Sequence, residues 1–138
     1  CTVLRERHGR ALLIGADAPQ LQATDLVDAC AALDTRDHAL APSEDGGFWL
    51  FATRTAVPEA AWSRTPWSQA DTSERFLDAL APTPVAALRR LRDVDTIDDL
   101  APLAEALDAL SAPTPKQAAL AHWLRKLSMV HPCIAGGT

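Results

Sequence analysis

The chain has 138 residues, of which 48% are apolar and 22% charged, with a formal net charge of -5. That balance suits a single globular α/β domain over residues 1–131 with a flexible tail at 132–138, and it argues against a disordered chain. The acidic surplus argues against non-specific nucleic-acid binding, which needs basic surface. No apolar run reaches the length of a membrane span, and no basic start with an apolar core marks a signal peptide.

Residues 10–16, in which Arg10 precedes the apolar run Ala11–Ile14, are expected to be a strand buried on both faces. Gly15-Ala16-Asp17-Ala18-Pro19 follows as a loop. Thr24 is the expected N-cap of a helix carrying Leu26, Val27, Cys30 and Leu33 on its apolar face, with Cys30 in the core. The three cysteines, Cys1, Cys30 and Cys133, are odd in number and far apart, and read as reduced thiols of a cytoplasmic protein. Residues 38–42 read as a second strand, Gly46-Gly47 as a turn, and Phe48–Thr53 as an aromatic-rich third strand.

Val57–Gln69 shows no clear period and is expected to be a loop with about one helical turn. Its Trp62 and Trp67 suit either a ligand pocket or a small satellite core. A helix over 73–80 would present Phe76, Leu77 and Leu80 on one face. Local spacing of Val85, Leu88 and Leu91 favours a helix slightly over a strand. Thr96 and Asp99 have the spacing of a capping box, and the helix behind them, with Leu100, Leu103, Leu107 and Leu110, is expected to begin near Pro102. Residues 116–130 form the clearest amphipathic pattern, with Leu120, Trp123, Leu124 and Leu127 on one face.

Chemistry is concentrated in three acid-bearing segments. Asp17 ends a strand, where a carboxylate either binds a hard divalent cation or caps the following helix. Asp45-Gly46-Gly47 follows the second strand, as if neighbouring strands delivered their acids to one sheet edge; taken alone it is also an ordinary tight turn. Asp93 and Asp95 are expected to project to opposite faces of a strand end, leaving one of them to reach the site, while Asp95-Thr96 also reads as a helix start. His8, His38, His122 and His131 have no metal-ligand spacing, and His131-Pro132-Cys133 is expected to be no zinc site. Phosphate loops of the Walker type and the dinucleotide fingerprint do not occur.

In their order along the chain, Leu13–Leu21, Ala41–Leu50 and Arg92–Leu100 resemble the C-terminal part of a bacterial family of GT-A-like transferases. That family is described as glycosyltransferase-like, or nucleotide-diphospho-sugar transferases, of unknown specificity, and is similar at longer range to molybdenum-cofactor and phospholactate guanylyltransferases. The resemblance spans roughly residues 10–127. It implies an α/β fold, a partial GT-A-like (Rossmann-like) mixed sheet flanked by helices and lacking the N-terminal strands. It turns residues 85–92 into a strand.

It also implies that Asp17 and Asp95 carry catalysis by holding Mg²⁺ or Mn²⁺, and that Asp45, Gly46 and Gly47 face the sugar or acceptor. The implied partners are a nucleotide sugar or nucleotide and an unspecified acceptor, with nucleotidyl transfer as the alternative chemistry. The family begins with a strand and a glycine loop carrying Lys or Arg, and nothing like it precedes Cys1. The chain therefore reads as a piece of a longer protein, expected to be inactive alone, or as a catalytically incompetent fragment. Without those strands, one edge of the strand at 10–16 is expected to lie open and to pair two copies into a homodimer.

Overall fold

A computed structural model describes residues 2–130, with side-chain surroundings for residues 3–127. Cys1, the His131-Pro132-Cys133 segment and the expected tail lie outside the described residues. The elements run α1 (Thr2–His8), β1 (Ala11–Ile14), α2 (Ala23–Ala32), β2 (His38–Pro42), β3 (Phe48–Thr53), α3 (Glu59–Arg64), α4 (Thr72–Leu80), β4 (Val85–Ala87), a 3-10 turn (Ile97–Asp99), α5 (Leu100–Asp108) and α6 (Pro115–Val130). One four-stranded mixed sheet has the order β1-β3-β2-β4, so the expected α/β mixed sheet flanked by helices is present. No helix of the described residues is long and apolar enough to cross a membrane.

β3 is the centre of the sheet. It pairs antiparallel with β1 and with β2, and β2 pairs parallel with β4. β1 and β2 are therefore not neighbours, as the sequence suggested, but point the same way on either side of β3. β1 is also not buried on both faces. It stands at the sheet edge, with Leu13 45% and Ile14 39% exposed.

One residue of β3 breaks the pairing. Ala41 pairs with Leu50 and Pro42 with Phe48, so Trp49 bulges out unpaired. A bulge shifts the alternation of the residues beyond it. Leu50 and Ala52 pack with Trp49, Ala39, Ala41, Ala29 and Leu33 on the α2 face. Phe51 and, beyond the bulge, Phe48 pack on the opposite face with Leu40, Phe76 and Leu80. Trp62 and Trp67 join that second cluster, stacked at 6.0 Å and contacting Phe76, so they cover a core. Each fully buried aromatic there contributes about 1.5–3 kcal/mol. A third cluster, Leu103, Leu107, Ala121 and Leu124, joins α5 to α6.

The helices differ in detail from the pattern read in sequence. α2 is capped at Gln22, not Thr24, because the Asp25 carboxylate accepts the Gln22 N–H at 2.8 Å. Its inward stripe is Asp25, Leu26, Ala29 and Leu33, while Val27 is 65% exposed and Cys30 is exposed as well. On α6 the inward residues are Ala121 and Leu124, and Trp123 is 53% exposed. The Thr96–Asp99 capping box is present, and Pro102 falls in the first turn of α5, where its missing N–H would have had no helical partner. His38 is buried and stacks on Phe51, with Nδ1 3.0 Å from the Thr53 hydroxyl. Burial lowers its pKa against the pull of Asp37.

The region beyond β4 is extended, not helical, in line with the family pattern. Regular pairing ends at Ala87, and the ladder then continues irregularly. Leu88 N–H donates to the Leu40 carbonyl at 2.9 Å, Leu91 N–H to Pro42 at 3.3 Å, and Glu44 N–H to Leu91 at 3.0 Å. Arg89 and Arg90 lie in the break. Arg89 turns toward α2 and grips Asp25 with two hydrogen bonds, of 2.8 and 2.6 Å. Asp25, only 7% exposed, is pushed up by burial, but the Arg89 hydrogen bonds, the Gln22 N–H and the Arg89 charge outweigh that and lower its pKa.

Asp25→Asn is expected to cost about 2 kcal/mol at neutral pH by leaving these donors poorly matched. Because the folded-state pKa lies below the ordinary 3.8, the stabilising effect is present above that value. It is lost as pH falls through the lower folded-state value. Urea unfolding from pH 7 to pH 2 checks this: the gap between wild type and variant should close in acid.

Candidate functional site

The site is built where the loops after β1, β2 and β4 meet. Trp49 organises two of them. Its carbonyl accepts the Gly15 N–H at 2.7 Å, and its indole N–H donates to the Arg89 carbonyl at 3.0 Å. The two loops are then joined directly, because Val94 N–H donates to the Asp17 carbonyl at 2.9 Å. Gln20 Nε2 donates to the Arg92 carbonyl at 2.5 Å and fixes the same pair of segments further along.

This stitching brings Asp17, Asp93 and Asp95 together, each offering a carboxylate oxygen within 4.8 Å of the others. Asp17 and Asp95 were expected; Asp93 was not. The two acids flanking Val94 do not point to opposite faces. In extended chain, residues two apart lie on one face, and that spacing was the signal available in the sequence. Gly15 makes room for Asp17, since a Cβ there would lie 2.8 Å from Asp17 Oδ1.

The three acids leave their charges unbalanced. Burial raises the Asp93 pKa; its own N–H works against that, and the charges of Asp45, Asp95 and Asp17 push it further up. The nearest guanidinium on the same segment, Arg92, is engaged elsewhere, with Glu44 at 2.8 Å and Asp99 at 3.1 Å. Asp99 in turn has its pKa lowered by N–H and O–H donation from Thr96, with the Asp95 N–H and the Arg92 charge adding to this against the effect of burial. Hard carboxylate oxygens that converge with no ion pair to a basic side chain among the described residues fit a hard divalent ion such as Mg²⁺ or Mn²⁺.

Of the expected Asp45-Gly46-Gly47 loop, Asp45 and Gly47 line clefts beside the acids, and Gly46 lines neither cleft. Asp45 borders both the cleft with Arg92, Asp93 and Asp95 and the one with Asp17, Trp67 and Asp93. One Asp45 oxygen is occupied by the Gly47 N–H at 2.8 Å. Gly46 has φ +96°, and a Cβ on it would fall 1.8 Å from the Ala70 carbonyl oxygen. Its own carbonyl accepts the Ser73 N–H at 2.8 Å, so this glycine docks the loop on the start of α4.

Residues 2–69 match a bacterial protein family described as "Uncharacterized protein conserved in bacteria (DUF2064)". The match includes Asp17 and Asp45–Gly47 and stops short of Asp93 and Asp95. No curated protein matches the chain. A solved structure from Desulfovibrio desulfuricans G20, described as a "putative nucleotide-diphospho-sugar transferase", is similar with a TM-score of 0.81 at 24% identity. The alignment covers 94% of this chain and 58% of that one. At that identity the likeness is one of fold, and the chain spans somewhat over half the length of the structure it matches.

Proposed function

We propose that this chain carries the metal side of a transferase site that uses a nucleotide-activated donor, a nucleotide-diphospho-sugar. The observation that carries the reading is the convergence of Asp17, Asp93 and Asp95 from two different loops of one sheet edge. The fold likeness to a protein described as a nucleotide-diphospho-sugar transferase supports it. Asp17, Asp93 and Asp95 would hold Mg²⁺ or Mn²⁺, which when bound would neutralise the donor diphosphate and stabilise it as it leaves. The chain's own contribution is to hold three carboxylates in register, through the Trp49, Gln20 and Val94 hydrogen bonds, before any ligand arrives. Asp45 and Gly47 line the neighbouring cleft, where the sugar or acceptor would lie.

Calorimetry with Mn²⁺ and UDP-, GDP- and CDP-linked donors tests the reading. Mn²⁺ should bind, and Asp17→Ala or Asp93→Asn should weaken it by about tenfold or more, equivalent to about 1.4 kcal/mol. One donor class should bind only with the metal present. Metal affinity unchanged in both variants would sink the proposal. Pyrophosphate release from a nucleoside triphosphate with a phosphorylated acceptor would instead favour nucleotidyl transfer.

We also propose self-association, which goes with the alternative of a catalytically incompetent fragment and does not depend on the transferase reading. The outer edge of β1 carries no strand among the described residues, and Leu13 and Ile14 stand half-exposed beside it. Light scattering should find a dimer that Leu13→Lys dissociates; a monomer at high concentration would contradict it.

A further inference from the structure

A cleft of about 210 Å³ lies between the loops after β1 and β2 and the segment 67–69 that leads into α4. Its lining combines three carboxylates, Asp17, Asp45 and Asp93, with the rings of Phe48 and Trp67. No Lys, Arg or His among the described residues lines it. Without a metal, such a lining repels anions and accepts hydrogen bonds from neutral donors. The volume falls below the range of drug-sized ligand sites and suits a single small ring.

Three features of this lining go beyond packing. Trp67 is 46% exposed although its ring joins the aromatic cluster. It stacks on Trp62 at 6.0 Å, while Phe48 meets it edge-on and Phe76 at a tilt, so among the described residues only Trp62 stacks on it. Ser68, beside it, has φ +59° and is the one non-glycine residue of positive φ among the described residues. A conformation of that kind persists because its surroundings hold it, and it collects at ligand sites. Here the buried Thr72 hydroxyl does the holding. It accepts the Gln69 N–H at 3.0 Å and lies 2.8 and 2.9 Å from the Gln69 and Pro66 carbonyls. Ser43 is the third feature. It lines the cleft and is only 3% exposed, and its hydroxyl hydrogen-bonds to no described residue, yet that oxygen is not sealed off. Polar side chains buried to this degree usually have a partner.

Together these groups ask for one kind of ligand. An indole face selects a flat or C–H-rich ring. Hydroxyl and carboxylate oxygens select hydroxyl donors. A nucleobase meets the first demand but brings few donors; a pyranose meets both. We propose that this cleft is a sugar subsite. The C–H face of a neutral pyranose lies on Trp67, and its hydroxyls donate to Ser43 Oγ and to Asp45 Oδ2, the oxygen that the Gly47 N–H does not engage. Asp17 and Asp93 border the same cleft, so a phosphate on the anomeric carbon would reach the metal those acids would hold. That placement rests on the transferase reading; pyranose binding does not.

The test is a chemical-shift titration of metal-free protein with the methyl α-pyranosides of glucose, mannose and galactose, and with glycerol and uridine for comparison. Each is taken well past the weak affinity expected of so small a ligand. At least one glycoside should shift the Trp67 indole N–H and the amides of Gly47 and Ser68. Trp67→Ala should weaken its binding about tenfold or more, and Trp67→Phe less. Because Trp67 also packs on Trp62, Ser43→Ala is the second variant. It removes a hydroxyl without a partner among the described residues and should weaken binding about threefold. The proposal is overturned if no glycoside shifts these signals, or if glycerol or uridine binds as tightly. It is overturned as well if either Ser43→Ala or a folded Trp67→Ala binds as wild type. No metal is present, so such a failure leaves the metal reading standing, and loss of Mn²⁺ binding in the acid variants leaves this one standing.

Discussion

A single bulged residue, Trp49, connects the sheet to the loops that form the site. Its backbone receives the Gly15 N–H and its indole holds the Arg89 carbonyl, so the loop after β1 and the segment after β4 are anchored to the same central strand. The bulge has a second effect, because it turns Phe48 onto the face occupied by Phe51 and Phe76. The turn at Gly46-Gly47 then runs toward the segment before α4, where Gly46 meets the Ala70 backbone so closely that no side chain would fit. Packing, loop position and site geometry thus depend on one departure from regular pairing.

Electrostatics explains why the anchoring has to be strong. Three carboxylates within 4.8 Å repel one another, and the Asp93 pKa is raised by burial and by its acidic neighbours. Left to itself, a loop would relax by moving them apart. Here the Val94–Asp17 and Gln20–Arg92 hydrogen bonds hold the segments together, and the Arg89–Asp25 pair fixes the same segment to α2 from its other side. Arg89 and Arg92, beside the acids, are committed to Asp25, Glu44 and Asp99.

Much of this was legible in the chain. The strands at 38–42 and 48–53, the 3-10 turn behind Thr96 and the acid at Asp17 follow from apolar runs, capping chemistry and loop composition. The strand at 85 was legible only through family resemblance, since Val85, Leu88 and Leu91 also suit a helix, and its regular part is three residues long. Asp25 was missed because an acid on an apolar stripe is read as solvent-facing until its partner is known, and Arg89 lies sixty-four residues away. Cys30 and Val27 were assigned to the core because hydropathy cannot say which side of α2 meets the sheet. The role of Asp93 was a matter of period, and the spacing of two already placed it beside Asp95.

The central claim is that Asp17, Asp93 and Asp95 form one divalent-metal site. Anomalous diffraction from crystals grown with Mn²⁺ tests it most directly. The account predicts one strong peak bonded to carboxylate oxygens of all three residues. Ordered crystals with Mn²⁺ bound elsewhere, or with these three carboxylates turned apart and unliganded, would contradict it.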